Sequence, residues 1–176
     1  MPEDNIIDIG KLTADPDNVR KHPNKNLSAI TGSLKQFGAA RSIVIDGKDV
    51  VRAGNGTLQQ AVQAGIKKVQ IVDADGQTLI AVRRKDWSDS QAAGYAVTDN
   101  RTNDLATWNF GELSSQLQAL AGHDIPMADL GWNEKDLDIM AGHADLPGVK
   151  FPEYTEDDAD NVEMITCPHC QNQFPK

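Results

Sequence analysis

The fold class this sequence predicts is α/β, a small mixed sheet with flanking helices. Three observations point there. Short β-branched runs of three or four residues recur between turn signals. Segments with apolar residues at helical spacing alternate with them. Between the third and fourth runs lies a glycine-rich turn, Ala53-Gly54-Asn55-Gly56-Thr57, which takes a strand directly into a helix.

Taken in order, Ile6-Ile7-Asp8-Ile9 is the first apolar run. Residues 15–25 are a loop, because Asp15-Pro16-Asp17-Asn18 and His22-Pro23-Asn24 are both breaker clusters. Ile30, Leu34 and Phe37 then fall on one helical face over residues 28–37, and Gly38 stands where a C-cap belongs. Residues 42–45 and 50–52 read as a hairpin about Asp46-Gly47. After the glycine turn a helix spans residues 58–64, stopped by Gly65.

Residues 69–72 and 79–82 read as two more strands, joined at Asp75-Gly76. Ser88-Asp89-Ser90-Gln91 has the capping-box pattern, opening a helix to about Thr98. Asn109 caps a helix over residues 113–120, and Asn133 one over residues 134–140. The chain thus divides into a domain over residues 1–108, a helical extension over 109–142, and a flexible acidic tail over 143–176.

The chain has 176 residues, enough for one buried core. Its net charge of −9 is unevenly spread. Residues 1–110 hold 14 basic and 13 acidic side chains, while residues 111–176 hold 3 and 13. Acidity argues against phosphate binding only in the C-terminal third. No run approaches the length of a membrane span. The acidic opening Met1-Pro2-Glu3-Asp4-Asn5 lacks the pattern of a signal peptide. Cytoplasmic localisation in a bacterial host, without a membrane partner, is expected.

The glycine turn is the sharpest chemical feature. Gly54 and Gly56 permit unusual backbone conformations and close approach of a ligand. The first N–H groups of the following helix favour an anion, and Asn55 and Thr57 add side-chain donors. Two other polar stretches, Asp17-Asn18-Val19-Arg20-Lys21-His22 and Thr98-Asp99-Asn100-Arg101-Thr102, supply basic groups. The tryptophans Trp87, Trp108 and Trp132 are expected as core or hinge anchors, with base stacking by one of them as the alternative.

Together and in this order, these stretches resemble the N-terminal domain of the ParB/sulfiredoxin-like superfamily. The resemblance lies in Asn18-Val19-Arg20, in Gln36-Phe37-Gly38 ahead of the strand at 42–45, in residues 51–65, and in Asp99-Asn100-Arg101. Leu105-Ala106-Thr107-Trp108-Asn109 and residues 130–137 are similar to the phage and mobile-element branch of the ParB family. The likeness covers about residues 5–141. It implies a DNA-associated module that binds nucleic-acid or nucleotide phosphate through Asn18, Arg20, Lys21, Gly54, Asn55, Gly56, Thr57, Asn100 and Arg101. It further implies a nucleoside triphosphate with Mg²⁺ as ligand. A DNA methyltransferase or a phage packaging or replication component is the implied protein partner, and a homodimer is left open.

This sequence also departs from the pattern. Chromosome-segregation members carry Gly-Glu-Arg-Arg in the turn, where Gly54-Asn55-Gly56-Thr57 stands here. Sulfiredoxin carries a cysteine there, so its redox chemistry is excluded. A ParB-like nuclease or a nucleotide-dependent phosphotransferase is the alternative function, and would draw its acid or base from Asp99 or His22. A non-catalytic adaptor acting through its tail is a second alternative. In that tail Cys167-Pro168-His169-Cys170 is half of a zinc ribbon. Cys167 and Cys170 could hold Zn²⁺ if a second copy completed four ligands, and otherwise form an unliganded knuckle.

Overall fold

The computed structural model describes residues 5–123, 125–140, 142, 164–166, 168 and 173–175. Cys167, Cys170 and most of the expected tail lie outside the described residues. The chain separates into two compact units, residues 1–125 and 126–176.

The first unit is mixed α/β, as expected. Strand β1 (Ile6–Asp8) leads through a 3-10 turn to β2 (Thr13–Ala14) and β3 (Arg20–Lys21), followed by helix α1 (Asn24–Phe37). Strands β4 (Val44–Ile45) and β5 (Val50–Ala53) precede α2 (Asn55–Gln63) and β6 (Lys68–Gln70). Helix α3 (Asp89–Leu105), strand β7 (Thr107–Trp108) and helix α4 (Phe110–Leu120) complete the unit.

The pairings are short. β1 runs antiparallel to β6, β5 lies between parallel β2 and antiparallel β4, and β3 pairs antiparallel with β7. The core sits against α2. Ile9, Leu12, Val51, Leu58 and Ala61 are buried together, with Leu34, Ile43, Ile45 and Val69 packed on them. Val51 is fully buried, and it delivers the chain into the glycine turn.

Local chemistry explains most boundaries. In the β4–β5 connection the Asp46 carboxylate accepts from the N–H groups of Lys48 and Val50, so side chain and backbone close the turn together. Helix α1 starts at Asn24, four residues earlier than expected. Pro23 has no N–H to lose at a helix start, and its carbonyl accepts from Leu27. At the other end Gly38 takes φ 73° and Arg84 donates to the Phe37 carbonyl. Phe37, Trp87 and Tyr95 stack edge-on and tilted beside it, with ring centroids 4.8–6.0 Å apart.

Two expectations are corrected. Residues 79–82 form no strand: Leu79 is 93% exposed, and Ile80 and Val82 are exposed beside it. The turn at Asp75-Gly76 does close, with Asp75 accepting from Gln77 and Thr78, but the run beyond it has no partner strand among the described residues. Helix α3 carries the full capping box at Ser88 and Gln91 and then continues seven residues past Thr98. Along its polar end Thr98 and Thr102 satisfy their hydroxyls on the Gly94 and Asp99 carbonyls.

In the second unit a 3-10 turn (Met127–Leu130) precedes α5 (Glu134–Met140). Asn133 and Asp136 cap that helix reciprocally, side chain to backbone N–H in both directions. Strands β8 (Met164–Thr166) and β9 (Gln173–Pro175) pair antiparallel. Among the described residues no helix is long and apolar enough to cross a membrane.

Candidate functional site

The first unit contains a cavity of about 370 Å³. Its wall is the N-terminal turn of α2, flanked by β3, β7, the polar face of α3 and the loop before β3.

Gly54 begins the site. It adopts φ 100°, ψ 27°, the left-handed region, and caps α2. A side chain there would also strike Ile43, since a Cβ would lie 2.6 Å from its Cγ2. The first intrahelical bond runs from Leu58 N–H to the Gly54 carbonyl. The N–H groups of Asn55, Gly56 and Thr57 therefore have no partner among the described residues, and all three residues line the cavity. They stand at the positive end of the α2 dipole.

Gly56 is needed for a different reason. The His22 ring lies against it so closely that a Cβ would sit 2.7 Å from Cε1 and 3.0 Å from Nε2. His22 is held there by a relay. Asn26, with no exposed surface, donates its amide to the Thr102 carbonyl at 2.6 Å and faces His22 Nδ1 with its oxygen at 2.7 Å. The amide orientation assigned by Thr102 makes Nδ1 the donor, and Nε2 has no partner among the described residues.

Three arginines line the cavity in different electrostatic states. Arg52 is neutralised by Asp15 at 3.1 Å and Asp46 at 2.8 Å. Its hydrogen bonds to Asp46 and then Asp15 raise its pKa, while backbone N–H groups of Lys48 and Val50 hold Asp46 below the usual carboxylate range. Arg41 is paired with Asp99 at 3.3 Å and bonded to Asn103 at 2.9 Å. Burial, then the Asp99 charge, pushes the nearby Tyr95 hydroxyl up. Arg20 differs: its guanidinium lies 4.4 Å from the Trp108 ring centroid and donates to the Asn103 carbonyl. No described carboxylate forms an ion pair with it.

The cavity brings together most residues singled out from sequence, but gives some a different task. Asn18 brackets its own loop, accepting from Arg20 N–H and donating to the Arg20 carbonyl. Asn55 ties Asp15 N–H to the Val51 carbonyl across its amide, so it is a structural clamp as well as a backbone donor. Lys21 alternates to the other side of β3, where it pairs with Glu112 at 3.5 Å. Asn100 and Arg101 also stand outside the cavity: Asn100 bonds to Ala96, and Arg101 lies 3.9 Å from Asp104. Of α3 only Tyr95, Asp99, Thr102 and Asn103 face the cavity, with Ala106 just past its end. His22 and Asp99 are not bonded to each other, each being held by its own partner.

Asn26, Arg41, Arg52 and Asn103 were not foreseen as site residues, and Trp108 lines the cavity where a core or hinge anchor was expected. For Asn26 the signal was present, as it falls on the stripe of α1 shared with Ile30 and Phe37. For Asn103 it was the helical period counted from Asp99. Among the described residues no three His, Cys, Asp or Glu side chains converge to hold a metal ion.

No family model matches this sequence, and no curated protein does. Among solved structures the chain is similar to the crystal structure of the C-terminally truncated chromosome-partitioning protein ParB from Caulobacter crescentus, complexed to the centromeric parS site. The identity is 19% and the TM-score 0.35, over 79% of this chain and 65% of that one. The match thus spans under two thirds of that chain, at a similarity too low to carry function across.

Proposed function

We propose that this chain is a ParB-like, DNA-associated module of a phage or mobile element, and that its cavity binds the phosphate of a nucleotide or of DNA. One observation carries the reading: three successive N–H groups, those of Asn55, Gly56 and Thr57, which have no partner among the described residues, open into a cavity that also holds Arg20, which no described carboxylate pairs. Partial positive charge at a helix start and an uncompensated guanidinium both favour an anion. Trp108, already stacked with Arg20, adds an aromatic surface at the same wall. Asp15, Asp17 and Asp99 also line the cavity; Arg52 engages Asp15, which is bonded to Asn55 at the α2 start, and Arg41 engages Asp99, so binding at the α2 end depends on those two pairs staying formed. Mg²⁺ would arrive bound to the ligand's own phosphates, because the described residues offer no three-ligand cluster.

Thermal-shift titration with nucleoside triphosphates, with and without Mg²⁺, and salt-dependent binding of a labelled DNA duplex test this. A ligand that binds the folded state stabilises it by about 2.7 kcal/mol at a hundred times its Kd. Wild type should respond to one of the two ligand classes, and Arg20→Ala should lose at least tenfold in affinity. Wild type indifferent to both classes would overturn the proposal.

A second reading, phosphoryl or phosphodiester turnover, is favoured by one detail. His22 Nε2 is unpartnered in the cavity, whereas Arg41 and Tyr95 engage Asp99. His22 is therefore the acid–base candidate, and turnover with Mg²⁺ should vanish in His22→Gln while persisting in Asp99→Asn.

A further inference from the structure

The geometry points to His22 as the proton-carrying contact of the anion cavity, so that anion binding takes up one proton from solvent at Nε2. The inference rests on the phosphate-binding reading above and adds to it a regulation by pH.

The relay decides which nitrogen is available. Thr102 carbonyl fixes the Asn26 amide, Asn26 Oδ1 takes the Nδ1 proton, and the neutral ring must then present a lone pair at Nε2. Nε2 is beside the first turn of α2, at 3.0 Å from where a Gly56 Cβ would stand. A neutral Nε2 offers no donor to an anion seated on the Asn55–Thr57 N–H groups. Protonated, the same nitrogen becomes a charged donor without moving, because Nδ1–H keeps its bond to Asn26. Asn26 has no exposed surface and its amide is held by Thr102, so a ring that turned away would leave the buried Asn26 oxygen without its partner.

The surrounding charges do not replace this proton. From β3, Arg20 is cationic at every relevant pH. Arg52 on β5 and Arg41 before β4 are engaged by carboxylates, as are Asp15 and Asp99 by them. Asp17 from the loop and Tyr95 from α3 complete the ionisable lining. None of these side chains ordinarily changes charge between about pH 5 and 8, where imidazole does.

Sulfate is the suitable probe, because it stays fully ionised throughout that range while phosphate does not. Affinity of wild type for sulfate should fall as pH rises through the imidazole range, by up to about tenfold per pH unit for one linked proton. Calorimetry in two buffers of different ionisation enthalpy should count a fractional proton taken up, and His22→Gln should abolish both effects. Should that variant fold poorly, the His22 ring resonances of wild type, followed against pH with and without sulfate, give the same answer. An upward displacement of the titration by sulfate supports the inference. Sulfate binding with a flat pH profile and no proton uptake overturns the role of His22 and leaves the anion cavity standing. No sulfate binding at any pH overturns both.

Discussion

Replacing Gly56 by alanine tests the packing that holds the cavity together. The new Cβ would meet His22 at 2.7 Å from Cε1, 2.8 Å from Nδ1 and 3.0 Å from Nε2, so the whole ring edge is affected. To reach ordinary contact at 3.4 Å the ring must retreat by about 0.7 Å. A shift of that size disturbs the 2.7 Å bond from Nδ1 to Asn26, and Asn26 cannot follow because its amide is bonded to Thr102 in a fully buried position. Leaving the Asn26 oxygen unpaired costs about 1–3 kcal/mol. The helix gains about 0.5–1 kcal/mol from losing a glycine, so the net expectation runs from near zero to a loss of about 2.5 kcal/mol.

Gly32 is the internal control. It lies in α1, exposed, and nothing stands within 4 Å of its Cβ position. Gly32→Ala should therefore stabilise by about 0.5–1 kcal/mol. Urea unfolding of both variants measures the two values. Combining Gly56→Ala with His22→Ala removes the clash, and the alanine at position 56 should then be neutral or stabilising. A Gly56→Ala protein stabilised as much as Gly32→Ala, or equally destabilised without the His22 ring, would refute the reasoning.

Two further outcomes follow from local chemistry. Asp46 has a depressed pKa because backbone N–H groups and Arg52 favour its charged form, so its contribution is present above the unfolded carboxylate value of about 4 and is lost as pH falls below it. The stability gap between wild type and Asp46→Asn should accordingly narrow in acid, read as urea midpoints; a gap independent of pH would contradict the assignment. Gln60 is 2% exposed, and among the described residues its Nε2 has no partner. Gln60→Met removes that orphan donor while Thr31 keeps its bond to the Leu27 carbonyl, so stability should stay level or rise by up to about 1 kcal/mol, and a loss greater than that in urea unfolding would count against it.

How far the sequence discloses this molecule depends on whether a feature is local. The hairpin at Asp46, the C-cap at Gly38, the capping box at Ser88 and the strand-to-helix turn at Gly54 are all decided within a few residues, and all are legible. The strand expected at 79–82 is not local: β-branched residues favour extended backbone, but only a neighbouring strand makes a ladder, and among the described residues none lies beside it. β3 and β7 are two-residue strands, too short for any alternation to show. In the site, Gly56 was legible as a place of close approach, yet what approaches is the ring of His22. Arg41 could not be read as a cavity residue, since its carboxylate partner lies 58 residues away; Arg52 has a local partner in Asp46, but the Asp15 that it also engages lies 37 residues away. Asn100 and Arg101, adjacent to Asp99 in sequence, leave the cavity because a helix turns about 100° per residue.

The central claim is that an anion sits on the first turn of α2. Amide proton–nitrogen correlation spectra of the full chain, recorded during titration with sulfate and then with a nucleoside triphosphate, test it most directly. The account predicts the largest displacements at the N–H groups of Asn55, Gly56 and Thr57, accompanied by the side-chain signal of Arg20. Saturating displacements elsewhere in the chain, with those three amides unmoved, would contradict it.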